Sequence, residues 1–169
     1  MKKFIALLLT LLLALSAAAP ALAEKQTYRS LYSGEVTTLN YLTTTTTSEF
    51  GLLSNLIDTL VESDRYGQLQ PCLAESWEAS ADGLTWTFHM RDGLKWSDGS
   101  DLTAADFEYS FKRLASPDTA APYAETVVGM IDGYQGAIGN PDEDGNTTTD
   151  PDWDALNVHA SEDGKTLTV

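Results

Sequence analysis

Residues 71–91 read PCLAESWEASADGLTWTFHMR, and this stretch decides the fold. Asp82-Gly83 is a strong hairpin-turn signal, because Gly adopts positive φ without steric cost. From Leu84 to Arg91, apolar and polar side chains alternate with the two-residue period of a β-strand. We therefore predict an antiparallel hairpin with strands at Trp77–Ala79 and Leu84–Arg91, in which one face is buried and the other is solvated.

The same pattern returns at the end of the chain, where residues 160–169 read ASEDGKTLTV and residues 79–88 read ASADGLTWTF. This internal repeat predicts a second hairpin that turns at Asp163-Gly164. The first hairpin continues as far as Arg91, whereas the second stops at Val169. Because a strand that ends in mid-course leaves backbone groups unpaired, we expect the native polypeptide to continue beyond Val169.

Helical patterns surround the hairpins. Between Ser48 and Ser63, apolar residues recur at helical spacing, which predicts a helix with Phe50 on the buried side and Glu49 on the polar side. Thr103 and Asp106 form a capping box. The predicted elements besides the hairpins are a short strand at 27–33, helices at 48–63, 103–115 and 123–138, and a polar, acidic surface loop at 139–152.

The first residues are typical of a secretory signal peptide. Lys2 and Lys3 precede an apolar run from Phe4 to Leu15, and Ala21-Leu22-Ala23 forms a small-residue cleavage site. The run is shorter than the about 20 residues that a membrane-spanning helix needs. Glu24 stands where a lipid-anchored protein would have a cysteine. We therefore predict cleavage after residue 23 and an exported protein, periplasmic or on the extracellular face of the cytoplasmic membrane, without a lipobox.

Composition and charge exclude several classes of protein. Hydrophobic residues make up 43% of the chain, as in folded proteins. The formal charge is −15, and it becomes −17 without Lys2 and Lys3, so the surface repels nucleic acid and anionic lipid. Cys72 is the single cysteine, which rules out an internal disulfide, and we expect it to be buried.

No catalytic or metal centre is predicted. His89, His159 and Cys72 are too few to form a zinc site or a Cys/His nucleophile, and no Gly-x-Ser-x-Gly or phosphate-binding loop is present. Residues 140–151 resemble a calcium loop, but Pro151 stands where the bidentate Glu should be. We therefore interpret this stretch as a solvated loop, with weak calcium binding as the alternative, and we predict no cofactor and no enzyme.

Four linked segments resemble the signature block of the oligopeptide-binding protein family, the extracellular solute-binding proteins of family 5 of ABC transporters. They are PCLAESWE at 71–78, DGLTWTFHMR at 82–91, KWSDG at 95–99 and LTAADF at 102–107. The stretch TAAPYA at 119–124 and the triplet Thr38-Leu39-Asn40 also fit, with Asn40 where the family usually has Asp. The resemblance covers nearly all of the chain after residue 23, but only the N-terminal portion of a longer protein.

The resemblance implies an α+β fold that is part of one lobe of a two-lobed periplasmic-binding-protein type II fold, with antiparallel hairpins and packed helices, truncated at the C-terminus. After the signal peptide of residues 1–23, residues 24–45 would begin the core domain of the first lobe. Residues 46–169 would form most of its small α+β domain, still incomplete. Trp77, Trp86 and Trp96 are predicted to be core aromatics of the sheet, since each brings a large apolar area.

The function implied by the resemblance is that of the substrate-binding component of an ABC importer. Such a protein captures short peptides outside the membrane and delivers them to a permease and ATPase complex by closing its lobes. Related groups bind nickel chelates, heme or short sugars, so the class of ligand stays open. The alternative is a truncated exported fragment or a surface interaction module without independent transport activity.

The resemblance also carries over a set of ligand-facing positions. They are Thr44, Thr45, Thr46, Thr47 and Tyr123. Tyr123 has a second interpretation, that of an aromatic residue at a helix start packed on the sheet. Because such a cleft needs both lobes to exclude water from its ligand, we expect this chain alone to bind peptide weakly or not at all.

Overall fold

The computed structural model of the chain describes residues 27, 29, 31, 34–139 and 151–169. The helices and strands described below all belong to one compact unit, Gly34–Val169. The predicted signal peptide, most of the predicted strand at 27–33 and the calcium-like loop at 140–150 lie outside the described residues. Within the described part of the chain, none of the helices combines the length and the apolar character required to cross a membrane.

The described elements follow one another in this order: α1 Thr47–Leu53, β1 Val61–Ser63, β2 Leu69–Pro71, β3 Ala74–Ala79, β4 Trp86–Met90, α2 Ala104–Ala115, α3 Ala124–Val128, α4 Tyr134–Ile138, β5 His159–Ala160 and β6 Thr166–Thr168. Two short 3₁₀ turns lie at Pro117–Thr119 and Trp153–Ala155. Strands β3 to β6 form an antiparallel sheet in the order β3-β4-β6-β5, and β1 pairs with β2 in a separate hairpin.

The two predicted hairpins form the sheet and share one turn chemistry. Asp82 accepts the hydroxyl of Ser80 at 2.5 Å and the N–H two residues further on at 3.1 Å. Asp163 likewise accepts the hydroxyl of Ser161 at 2.6 Å and the N–H of Lys165 at 3.0 Å. Each serine Oγ then accepts the backbone N–H five residues ahead. The repeated sequence therefore builds the same turn twice, as predicted.

The predicted capping box opens helix α2, which covers part of the sheet. Thr103 donates its N–H to the Asp106 carboxylate at 2.8 Å. The carbonyl of Gly164, in the turn of the second hairpin, accepts the N–H of Ala104 at 2.8 Å. The second hairpin thus satisfies one of the free N–H groups at the start of the helix, and Pro117 follows its end as predicted.

Ion pairs made by the buried Lys112 join α2 to the later part of the chain. Lys112 lies 2.7 Å from Glu108 and 2.9 Å from Asp154, and Glu108 also accepts the N–H of Ala160 at 2.7 Å. Burial alone would lower the pKa of Lys112, but the hydrogen bonds that its ammonium group donates to Glu108 and Asp154 outweigh it and the pKa is raised. The lysine therefore stays charged inside the fold.

The predicted helix at Ser48–Ser63 is wrong beyond Leu53. The chain leaves the helix there, and the carbonyl of Leu60 accepts the N–H of Ala74 at 2.9 Å. Residues 61–63 then pair with 69–71 in the β1–β2 hairpin, which turns at Gly67. Pairing with β2, which follows the predicted helix, has overridden the local helical pattern, and Leu56 is left 68% exposed.

The looser helix predicted at 123–138 is two short helices, α3 and α4. Gly133 lies between them with φ +82°, a conformation that a continuous α-helix excludes. A Cβ at this position would lie 1.7 Å from the carbonyl oxygen of Ala155. The glycine therefore both breaks the helix and allows the later chain to approach closely.

The core differs from the predicted one. Trp86 and Trp96 are 43% and 48% exposed, and Trp77 is half-buried, so the tryptophans are not its centre. Along β4, burial increases from the exposed Trp86 to Met90, which is 6% exposed. The core includes that end of the strand. Its buried members are Met90, Ala104, Ala115, Val128, Tyr134, Ala137, Leu156, Val158 and Leu167.

Candidate functional site

The threonine segment begins with a tight turn built by Asn40. Its carbonyl accepts the N–H groups of Thr43 and Thr44, both at 3.1 Å, and its side-chain oxygen accepts the N–H of Leu42 at 3.1 Å. An aspartate carboxylate in the same place can accept the same N–H, which explains why Asn substitutes for the family's usual Asp. The turn buries Leu42 and leaves Thr45, Thr46 and Thr47 exposed.

Thr44 differs from its three neighbours. It is only 2% exposed, and its hydroxyl donates to the carboxylate of Glu49. Hydrogen bonds from the side chain of Thr44 and then from Thr37 hold the pKa of Glu49 at about 2, well below its usual 4.5. The side chain of Thr44 therefore belongs to the interior, whereas the side chains of Thr45, Thr46 and Thr47 are exposed.

Tyr123 lies at the start of helix α3 and is 43% exposed. Its ring is 6.4 Å from the ring of Phe50, at an interplanar angle of 47°. Phe50 lies one turn into α1, the helix that begins at Thr47. This aromatic contact brings the threonine segment and Tyr123, 76 residues apart along the chain, onto one surface.

Phe50 was not predicted to be a surface residue, because its apolar spacing placed it on the buried side of a helix. The side chain is 39% exposed and packs on Tyr123 instead. Nothing in the local pattern distinguishes a core phenylalanine from one that packs on a distant aromatic ring. We refer to Thr45, Thr46, Thr47, Phe50 and Tyr123 together as the threonine–aromatic surface.

A small cavity of about 280 Å³ lies near α3 and α4. Four of its nine lining residues are alanine, and the buried Tyr134 is the single ionisable group among them. Burial raises the pKa of Tyr134, and the nearby charge of Glu125 raises it further. The cavity can hold a small apolar group but carries no chemistry of its own. Its lining residues are Ala115, Ser116, Pro117, Ala120, Ala121, Ala124, Tyr134, Ile138 and Gly139.

The residues considered for metal or nucleophilic chemistry are dispersed. His89 approaches Glu78 at 3.7 Å, and His159 lies 3.4 Å from Asn157. Cys72 is partly exposed rather than buried, and its carbonyl accepts the side chain of Arg91 at 2.6 Å. In residues 34–139 and 151–169, no three His, Cys, Asp or Glu side chains are grouped to hold a metal ion.

Comparison with known proteins places residues 68–168 in the family described as bacterial extracellular solute-binding proteins, family 5 Middle. The chain is 51% identical over 76 residues to the periplasmic oligopeptide-binding protein OppA of Haemophilus influenzae, and 43% identical over 124 residues to that of Salmonella typhimurium. These alignments cover 45% and 69% of this chain but only 14% and 23% of the relatives. The chain thus spans less than a quarter of their length.

Solved structures of oligopeptide- and peptide-binding proteins are also similar to this chain. The crystal structure of Haemophilus influenzae OppA in complex with RPPGFSPFR matches with a TM-score of 0.65 and 36% identity. The Escherichia coli murein tripeptide binding protein MppA matches with a TM-score of 0.64 and 32% identity. Each match covers 78% of this chain and 24% of the other. The predicted fold class, an α+β portion of a two-lobed binding-protein fold, is confirmed.

Proposed function

Because the chain belongs to the bacterial extracellular solute-binding proteins of family 5, we propose that it is part of the substrate-binding component of an ABC importer. In this proposal it captures short peptides outside the membrane and delivers them to a permease and ATPase complex. The names of its relatives as oligopeptide-binding and periplasmic proteins support the ligand class and the location. No catalytic step is part of the proposal.

The observation that carries the proposal is the contact between Phe50 and Tyr123, which joins two separate segments in one exposed surface. An extended peptide presents backbone N–H and C=O groups and side chains that alternate in direction. Exposed hydroxyl groups at Thr45–Thr47 suit the backbone, and the two aromatic rings suit an apolar side chain. The proposed ligand-facing residues are therefore Thr45, Thr46, Thr47, Tyr123 and, beside them, Phe50.

Thr44 is left out of the proposed ligand set because its hydroxyl is buried against Glu49. The proposed domain boundaries remain residues 24–45 for the start of the first lobe's core domain and 46–169 for the small α+β domain. Hydrogen bonds between Glu49 and Thr37 link the two across that boundary. The threonine segment would thus lie where the two domains of the lobe meet.

Nuclear magnetic resonance tests this proposal directly. The chain without residues 1–23 is labelled with ¹⁵N and titrated with RPPGFSPFR, the peptide bound in the related structure. We expect saturable shifts centred on Thr45–Thr47, Phe50 and Tyr123, with weak affinity because most of a two-lobed cleft lies outside this chain. Loss of an aromatic contact at a binding surface costs about 1 kcal/mol or more, so Tyr123→Ala is expected to raise Kd at least about fivefold.

Tyr66→Ala is the matched control, because Tyr66 is a 72% exposed tyrosine on the turn between β1 and β2. It is expected to leave Kd unchanged. Shifts that are absent, or that centre on other residues, would refute the site. Cleavage of the peptide during the titration, detected by mass spectrometry, would contradict a function limited to binding.

A further inference from the structure

Glu49 is a buried carboxylate in the first turn of α1, with only 1% of its surface exposed. None of the ion pairs among the described residues includes it. A carboxylate that leaves water without a cationic partner loses its hydration, and hydrogen bonds must compensate for that loss. The groups that supply these hydrogen bonds show what the residue holds in place.

Four hydrogen bonds from described residues reach the carboxylate from two directions. Oε1 accepts the N–H of Thr37 at 2.6 Å, the hydroxyl of Thr37 at 2.8 Å and the N–H of Thr38 at 3.1 Å. Oε2 accepts the hydroxyl of Thr44. Glu49 therefore joins the segment at 37–38, the end of the threonine turn and helix α1 at a single point.

The bond to Thr44 continues into the exposed part of the segment. The Thr44 oxygen, whose proton is given to Glu49, accepts the N–H of Thr46 at 3.2 Å. The carbonyl of Thr46 in turn accepts the N–H of Phe50 at 3.1 Å. Both polar backbone groups of Thr46 are thus engaged, one through Thr44 and the other by the helix.

We propose that Glu49 is a positioning residue, whose carboxylate acts through the Thr44 hydroxyl to hold the backbone of Thr45–Thr47 in the conformation that meets the peptide. The inference rests on the proposed function, since it concerns the same threonine–aromatic surface. Without the carboxylate, the segment populates other conformations, and the apparent Kd rises in inverse proportion to the fraction that stays competent.

Comparison of Glu49→Gln with Glu49→Ala separates the effect of the hydrogen bonds at this position from the effect of the negative charge. The amide oxygen of Gln can accept the three bonds made to Oε1, and its NH₂ group can donate to the Thr44 oxygen, which has a second lone pair for Thr46. We expect Glu49→Gln to keep Kd within about twofold of the original. Glu49→Ala is expected to raise Kd roughly tenfold, as when the competent fraction falls to about one tenth.

Thr44→Val tests the route of the effect, because it leaves the carboxylate in place and removes the link to Thr46. It is expected to raise Kd by the same roughly tenfold, and the double variant with Glu49→Ala should bind no more weakly than either single one. Glu62→Ala, at an exposed acidic position in β1, is the control for lost charge and should leave Kd unchanged.

Several outcomes overturn the inference. One is a Glu49→Ala protein that is folded at the assay temperature, melts lower and yet keeps the original Kd, which would mean a purely structural role. Another is a double variant whose effects add, because Glu49 would then act independently of Thr44. If Glu49→Ala fails to fold, the comparison of Thr44→Val with Glu49→Gln decides the question by the same Kd criterion.

Failure of the proposed function is recognised separately. If the original chain binds no peptide, hydrogen exchange of the Thr46 amide still reports on the position of the segment. Faster exchange in Glu49→Ala and Thr44→Val, but not in Glu49→Gln or Glu62→Ala, would support the positioning role. Equal exchange in all of them would refute it whatever the ligand.

Discussion

Replacement of Lys112 by Ala removes a buried positive charge that pairs with both Glu108 and Asp154. The Lys112 side chain is 10% exposed, that of Glu108 is 24% exposed and that of Asp154 is 90% exposed. Among the described residues, the substitution leaves Glu108 with one remaining hydrogen bond, from the N–H of Ala160. Its cost therefore comes chiefly from a carboxylate that has lost its partner, and little of it from Asp154, which faces water.

The magnitude follows from these exposures. Breaking a fully buried pair by removing one partner costs about 3–5 kcal/mol, whereas an exposed pair contributes about 0–1 kcal/mol. Glu108 is partly accessible to water, so we expect Lys112→Ala to lower the free energy of unfolding by roughly 2–4 kcal/mol. Lys95→Ala is the control: Lys95 and Asp101 are 52% and 77% exposed, and the expected loss is below about 1 kcal/mol.

Urea unfolding followed by tryptophan fluorescence measures both losses, since the chain has four tryptophans. The slope of the transition should be the same in both variants and the original, so that the midpoints compare directly. Equal decreases in the free energy of unfolding for Lys112→Ala and Lys95→Ala would refute this prediction, because burial would then not determine how much an ion pair contributes to stability. Lys112→Met, which keeps the aliphatic packing, shows how much of the loss is due to charge.

Three further predictions concern single positions. At Gly133 φ is +82° and an added Cβ would lie 1.7 Å from the Ala155 carbonyl oxygen, whereas at Gly99 φ is +91° and the space is open. Gly133→Ala should therefore lower the melting temperature more than Gly99→Ala. Equal decreases in melting temperature would contradict this. Leu167→Ala, at a fully buried site, should lower the free energy of unfolding in urea by about 2–5 kcal/mol. A decrease below about 1 kcal/mol would contradict the placement of Leu167 in the core. The pKa of Glu49 is lowered from 4.5 to about 2, so its carboxylate stabilises the fold fully above pH 4.5 and loses that effect as the pH falls towards 2. In acid unfolding followed by circular dichroism, Glu49→Gln should therefore show a smaller loss of stability between pH 4.5 and 2 than the original protein. An unchanged unfolding curve would contradict the role of the carboxylate.

Predictions that depended on neighbouring residues were confirmed. The two Asp-Gly turns and the capping box at Thr103 involve partners within a few residues of each other, so the sequence shows the whole interaction. The family, and with it the fold class, was also predicted, because the signature segments are long and occur in order. The same resemblance brought Tyr123 into the proposed site.

Predictions that depended on distant partners were wrong or incomplete. Glu49 was assigned to the polar side of a helix and is buried, because its partners Thr37 and Thr38 lie twelve and eleven residues earlier. Phe50 was assigned to the core and is exposed beside Tyr123. No local pattern reports either contact.

The sequence by itself determined the turns, the start of the main helix, the hairpin repeat and the family, since each is encoded in contiguous residues. Only the tertiary structure decided where the first helix ends, which aromatic residues are buried, and that Thr44 and Glu49 form an interior link below the exposed threonines. The physical reason is that burial and hydrogen-bond partners are set by what packs against a segment. Periodicity along the chain shows which faces are apolar, but it does not show what covers them.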